Sequence, residues 1–482
     1  MRGLPQKQNA RRAYKIRLCG HLRRYKKIVK KTYIISHKHL TIGKKCSLAI
    51  DIKFIARFDF MKNIKLLSQI LKRTNKLIVS DEYKQSYSLG NSFSRKRKLS
   101  FSNVVYLICS VLRKSIPLEI DNFIENHTCL NFPNISKQAF SKARQNISPE
   151  AFKELCRLFV DSFYNSKKKL NKWHGFNILA VDGTSIQVPD TIECGKYFGV
   201  SKNQNKTQTA VATASALYDI LNDIIIDASI TKFKTSEREL AKQHLDQINN
   251  EKLSKNSIVI FDRGYPSYEM FDYLDTKNML FLMRVPSSFK TVQNIDSNDC
   301  ILEYKIKRKY RKLRVIKIEL SNNITEILVT NIFDENIKYD EFKELYFLRW
   351  GVESKYKELK SSIQIEEFSG TKPISIEQDF FVSIYLSMVV ALIKDEADAA
   401  IADEIKDKNL KSMYQANRNF ILGQVFNRII NLLVNAKLTR KILEIILEKS
   451  KKIRSQIRPN RSRERKNKHP RKKHHHNKKS CI

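Results

Sequence analysis

The stretch from 176 to 285 alternates two kinds of pattern, and that alternation limits what the chain can fold into. "FNILAVDGT" (176–184) is an apolar run ending in an acid and a glycine turn. "TQTAVATASALYD" and "NDIIIDASIT" are β-branched runs separated by a short turn near Asp219–Asn222, the pattern of an antiparallel hairpin. "SERELAKQHLDQI" (236–248) reads as a capped helix, with Ser236 as N-cap and Glu239 three residues on. "SIVIFDRGY" (257–265) is another apolar run ending in an acid, followed by a helix over 267–277 and a strand "MLFLMRV" (279–285). Strand-like text continues to 335 with "ILEYKIK", "LRVIKIEL" and "TEILVTNI"; a late helix and further helices then run to 449. Strand, strand, strand, helix, strand, helix, strand, inserted strands, helix is the order of a mixed sheet flanked by helices. It predicts an α/β chain with a ribonuclease-H-like core, a β-rich insertion before the last core helix, and helical regions on both sides.

The late helix carries an unusual set of side chains. In "YFLRWGVESKYKELK" (346–360), Tyr346, Arg349, Glu353 and Lys360 fall within about 60° of one another at about 100° per residue. Leu345, Val352, Tyr356, Leu359 and Ile363 form a separate apolar stripe, as expected of a helix packed on a core. An acid among cations, with a phenol beside the core stripe, asks for a chemical reason.

Composition bounds the partners. The net charge of +41 is unevenly placed: residues 1–60 and 451–482 hold net +15 and +13, leaving +13 for the residues between. Such a balance suits phosphate backbones or anionic surfaces, although a Lys-, Asn- and Ile-rich chain also gains lysines without function. The apolar run "FFVSIYLSMVVALI" (380–393), between Asp379 and Lys394, is shorter than the roughly 20 residues a membrane span needs and predicts a buried helix. The basic N-terminus lacks the apolar core of a signal peptide. Cys19, Cys46, Cys109, Cys129, Cys156, Cys194, Cys300 and Cys481 are scattered without a C-x-x-C pair, which argues against a zinc cluster or disulfide framework and for a reducing cytoplasm.

The expected organisation follows. Residues 1–60 are a basic extension without a sustained period, and the natural start is expected at Met61. Residues 61–170 form a helical DNA-binding region, in which "SRKRKLS" (94–100) could touch phosphates. The core comprises 171–285 and 338–395, interrupted by the insertion 286–337; a helical region covers 396–450, and 451–482 is a disordered basic tail. The "HHH" at 474–476 reads as part of that charge run.

In the proposed fold Asp182, Asp262 and Glu353 converge at one end of the sheet. Three carboxylates there repel one another unless cations sit between them; Mg²⁺, with Mn²⁺ substituting, suits all-oxygen ligands. Two such ions can serve phosphoryl transfer. Each acid alone has an ordinary explanation: a turn former for either aspartate, an i,i+4 partner of Lys357 for Glu353.

With these motifs in view, the chain resembles the bacterial insertion-sequence transposases of the Asp-Asp-Glu type, the family-four group with a Tyr-Arg-Glu-Lys signature. Its Y-x2-R-x3-E-x6-K spacing is met by Tyr346, Arg349, Glu353 and Lys360; Asp182-Gly183-Thr184 and Asp262-Arg263-Gly264-Tyr265 match its two aspartate motifs. "SKQAFSKARQNISPEAF", "LYDILND", "SERELAKQHL" and "FSGTKP" are similar to family text, and the resemblance covers residues 90–400. It implies cleavage at the ends of an element and joining of the freed 3′-hydroxyls to target DNA. By position it implies Asp182, Asp262 and Glu353 as catalytic metal ligands for Mg²⁺, and Tyr346, Arg349, Lys360 and Arg263 as DNA-binding residues. It further implies double-stranded DNA partners (terminal inverted repeats and target), no membrane, and a dimer on paired ends. The inserted strands would help shape the terminal hairpin or a flipped base, yet Trp173 and Trp350, the two tryptophans, lie outside the insertion. Two other readings remain open: a catalytically silent transposon-derived DNA-binding protein, and a host nuclease of the same fold.

Overall fold

The computed structural model describes residues 61–458, apart from 96–97, 113, 167–169, 203–207, 294, 307–308, 321–323, 407, 409 and 411. The expected extension 1–60, most of the basic tail and its histidines lie outside the described residues.

Six helices come first: α1 (Lys62–Ile78), α2 (Asp81–Tyr87), α3 (Phe101–Cys109), α4 (Ile116–Asn126), α5 (Lys137–Arg144) and α6 (Glu150–Tyr164). The 3.6-residue apolar period of α1 buries Ile64, Leu67, Ile70 and Leu71 completely. Then come β1 (Asn177–Gln187), α7 (Ile192–Phe198), β2 (Val200–Lys202), β3 (Gln208–Asp219), β4 (Ile224–Lys232), α8 (Glu237–Asp246), α9 (Glu251–Lys255), β5 (Ser257–Phe261), α10 (Tyr268–Thr276) and β6 (Leu280–Val285). The chain continues through β7 (Asp299–Ile306), β8 (Lys309–Leu320), β9 (Ile324–Thr330), α11 (Tyr339–Phe347), α12 (Trp350–Ser361) and α13 (Pro373–Ile405). It closes with β10 (Met413–Ala416), α14 (Arg418–Phe426), α15 (Ile429–Val434), α16 (Thr439–Lys452) and β11 (Arg454–Ile457).

One mixed sheet of nine strands, β1 to β9, organises the middle of the molecule. Its order is β2-β3-β1-β5-β6-β9-β8-β7, with β4 also paired to β3. β1–β5 and β5–β6 are parallel; the other pairs are antiparallel. The hairpin read between 208 and 232 is present. The inserted strands do not form a separate unit: β9 pairs directly with β6 and extends the same sheet.

That continuity limits what the insertion can reach. β6 runs parallel to β5, so Val285 lies toward the end of the sheet where Asp262 follows Phe261. Antiparallel pairing of Val285 with Ile327 then puts the β8–β9 turn at that end and the β7–β8 turn at the opposite one.

α13 is the spine of the helical part, 33 residues long, and the apolar run at 380–393 lies within it. Length and composition alone would let it cross a membrane, but its apolar window is buried inside the protein. α1 is fixed to it by the Asn63 amide donating to Glu396 (2.8 Å) and by Thr74 Oγ1 meeting the Tyr385 hydroxyl (2.9 Å). Buried Arg144, at the end of α5, donates to Gln378 (2.7 Å), the Ser375 carbonyl (2.8 Å) and Asp379 (2.7 Å). The "SKARQNIS" and "FSGTKP" segments are therefore packed together by one guanidinium.

Two boundaries move. The basic tail expected from 451 begins later, because Lys451 and Lys452 end α16 and Arg454–Ile457 pairs with Met413–Ala416. The late helix is also not continuous: α11 ends at Phe347 and α12 begins at Trp350. Between them the amides of Leu348 and Arg349 bond carbonyls three residues back, which tightens the backbone into a turn.

Candidate active site

Register brings the two aspartate motifs side by side. Ala180 of β1 stands opposite Ile260 of β5, and two residues further along each chain are Asp182 and Asp262. A step of two preserves the face of the sheet, so both carboxylates leave it at one end. α12 lies along β1: the Tyr356 hydroxyl donates to the Asp182 carbonyl (2.8 Å), and Lys360 Nζ donates to the Ser185 carbonyl (2.6 Å). The apolar stripe is buried as its spacing predicts, with Leu345 on α11, Val352, Tyr356 and Leu359 on α12, and Ile363 just beyond it. Close approach at its start requires a glycine, since a Cβ on Gly351 would meet Ile220 at 2.7 Å.

Glu353 thus faces the aspartates, and Arg349 stands between. Its Nη2 donates to Glu353 Oε1 (3.0 Å) and its Nη1 lies 3.4 Å from Asp262 Oδ2. Trp350 covers the guanidinium, whose carbon is 4.9 Å from the ring centroid. The Tyr346 hydroxyl donates to Asp262 Oδ1 (3.2 Å). Burial works against the charge of Arg349, yet Tyr346, Asp262, Glu353 and Asp182 together hold its pKa above the ordinary value. Asp182 is pushed up to about 7, first by burial and then by Glu353 and Glu237, against the opposing Gly183 amide and Arg349. The Gly183 amide donates to Asp182 Oδ1 at 2.9 Å.

The four residues read as reaching DNA therefore behave differently. Tyr346 and Arg349 are buried, 2% and 3% exposed, and turned onto carboxylates rather than outward. Lys360 is partly exposed, against β1 and 3.8 Å from Glu366. Arg263 is exposed.

Sequence reasoning missed the groups behind the site. His244 of α8 holds Asp227 through Nδ1 (2.7 Å) and Ser215 through Nε2 (3.0 Å), and the Ser215 hydroxyl donates to the Asp182 carbonyl (3.3 Å). Lys153 of α6 completes the line, 3.5 Å from Asp227. At the base of α12, buried Lys355 and Arg418 bind Asp223 (3.1 and 2.7 Å) and Glu358 (3.3 and 2.9 Å). Pairing of 223 with 418 or 227 with 244 is a long-range fact that spacing does not carry.

The donor set suits a hard divalent cation in kind, being all carboxylate oxygen. Two local features agree. The buried Tyr265 hydroxyl has no hydrogen-bond partner among the described residues, and burial, then Asp182, Glu237 and Asp262, hold its acidity down. Glu237 also lies beside both aspartate motifs, its carboxylate 3.4 and 3.5 Å from where a Cβ on Gly183 or Gly264 would stand. Among the described residues no three His, Cys, Asp or Glu side chains are gathered tightly enough to close on one ion; the Arg349 guanidinium stands between Asp262 and Glu353.

Residues 173–388, which contain all three acids, match the transposase DDE domain family. Over 319 residues the chain is 22% identical to transposase InsG for insertion sequence element IS4, from Escherichia coli (strain K12), covering 61% of this chain and 69% of that one. These matches make the chain similar to transposases of the DDE type. A second relative, putative transposase InsZ of the same organism, is 27% identical over 145 residues, 30% of this chain and 47% of InsZ. A piggyBac transposase in a synaptic complex with hairpin DNA aligns with 79% of this chain and 84% of its own, at 11% identity and a TM-score of 0.41.

Proposed function

We propose that this chain cuts DNA at the ends of an insertion sequence and joins the 3′-hydroxyl ends to target DNA, on a ribonuclease-H-like core formed by β1, β3, β4, β5 and β6. The observation that carries the reading is the level placement of Asp182 and Asp262 on adjacent parallel strands with Glu353 facing them. Asp182, Asp262 and Glu353 would hold Mg²⁺, or Mn²⁺ in its place. When bound, the cations supply Lewis acidity at the scissile phosphate.

The chain's own residues do the rest. Tyr346 and Arg349 fix the directions of Asp262 and Glu353, and Arg349 offsets their negative charge where a DNA end adds more. Lys360 and Arg263, at the rim, are the cations open to phosphate oxygens. Tyr356, and Ser215 backed by His244, hold the backbone of Asp182. Synapsis of two ends calls for a dimer on DNA, in a bacterial cytoplasm.

A supercoiled plasmid carrying the DNA that flanks the gene on both sides tests the reading. Joined products with Mg²⁺ support it. Binding without cutting would indicate a silent DNA-binding protein, and cutting without joining a nuclease.

A further inference from the structure

Gly183 and Gly264 follow the two site aspartates by one and two residues, and neither has a positive φ. Conformational freedom is therefore not what glycine supplies there. One carboxylate borders both positions at ordinary van der Waals distance. A Cβ on Gly183 would lie 3.4 Å from Glu237 Oε1, and one on Gly264 would lie 3.5 Å from Glu237 Oε2. The carboxylate of Glu237 spans the gap between the two aspartate motifs.

Its backbone is pinned in that place. Ser236 caps α8 by accepting from the Glu239 amide, and Arg238 Nε donates to the Gly264 carbonyl (3.1 Å), tying the first turn of the helix to the loop after β5. Glu237 itself is exposed, so solutes reach it, and no hydrogen bond or ion pair to its carboxylate is present among the described residues. Beneath it lies the unpartnered Tyr265 hydroxyl, 1% exposed. Arg349 bonds Asp262 and Glu353, and no ion pair to Asp182 or Glu237 is present among the described residues.

We infer that Glu237 is a fourth carboxylate of the active site, an oxygen donor to the divalent cation held with Asp182. The inference rests on the reading of Asp182, Asp262 and Glu353 as the metal-holding acids. It gives the "SERELAKQHL" segment a part in the chemistry beyond its helix cap. An ordinary first-turn acid would interact with the helix dipole alone, and its loss would leave metal affinity unchanged.

The test is Mn²⁺ binding to the full, metal-free protein without DNA, followed by calorimetry, for the wild type, Glu237→Gln, Glu237→Asp and Asp182→Asn. Glu237→Gln should weaken Mn²⁺ about tenfold, within the range for lost metal-supporting groups. It should raise the Mn²⁺ needed for half-maximal plasmid cleavage by a similar factor, with the melting temperature of the metal-free protein unchanged. Glu237→Asp, which keeps the carboxylate, should fall between. Wild-type Mn²⁺ affinity in Glu237→Gln, with Asp182→Asn impaired, would overturn the role of Glu237 alone. Wild-type affinity in both would overturn the metal-site reading on which it stands.

Discussion

Arg349 Nη1 lies 3.4 Å from Asp262 Oδ2 while Nη2 of the same guanidinium donates to Glu353. The tight turn between α11 and α12 makes this possible, because it brings Arg349 off the end of one helix and over the first turn of the next. A buried arginine serving two half-exposed acids is the internal counter-charge of the site. Replacing it by alanine leaves those acids uncompensated, so Arg349→Ala should destabilise the metal-free protein by about 1–3 kcal/mol and reduce cleavage at least tenfold. Arg349→Lys should recover part, since an ammonium cannot form two directed bonds to separate carboxylates. Thermal melting with single-turnover cleavage reads both effects. Wild-type behaviour of Arg349→Ala would remove the counter-charge role.

Tyr346→Phe keeps the buried ring and loses only the bond to Asp262. The expected cost is about 1 kcal/mol, a several-fold slower cleavage with little change in melting. A null effect would show that Asp262 is oriented without it.

At the rim, Lys360→Ala and Arg263→Ala should weaken binding to any DNA sequence and reduce the slope of log affinity against log salt by about one each. Gel shifts across a salt series measure this. An unchanged slope in either variant would take that residue off the phosphate path.

Asp223 is nearly buried between Lys355 and Arg418 and anchors the base of α12. Asp223→Ala leaves buried Lys355 and partly buried Arg418 with Glu358 alone and should cost about 1–3 kcal/mol of stability. Denaturant unfolding decides; a loss below about 1 kcal/mol would show that the cluster is hydrated rather than paired.

The His244–Asp227 pair gives the protein an acid limit. Burial alone would raise the Asp227 carboxyl, but His244 and Lys153 outweigh it and hold its pKa below the ordinary value. A depressed carboxyl contributes stability above its unfolded pKa of about 4 and loses it as pH falls through the lower folded value. Melting temperature should therefore fall below about pH 4, and less steeply in Asp227→Asn. Equal slopes would contradict the assignment.

Much of this was legible in the sequence because it is local or periodic. The strand order, the 208–232 hairpin, the Ser236 cap and the stripe through Val352, Tyr356 and Leu359 each follow from neighbours within a few residues. The break at Leu348–Arg349 was not legible, since an unbroken 3.6-residue pattern does not reveal a local tightening of the backbone. The inward turn of Tyr346 and Arg349 was missed for a related reason: helical phase places a side chain on a face but does not say whether acid or solvent lies opposite. Glu237 was not singled out by the sequence, because its place beside Gly183 and Gly264 depends on how distant segments close together.

Single-turnover strand transfer tests the central claim most directly. Pre-cleaved ends taken from the DNA flanking the gene are mixed with supercoiled target, saturating protein and Mg²⁺, for the wild type and for Asp182→Ala, Asp262→Ala and Glu353→Ala. The account predicts joined products from the wild type and none from any variant, with end binding in gel shifts retained by all four. Joined products at the wild-type rate from any one of the variants would contradict it.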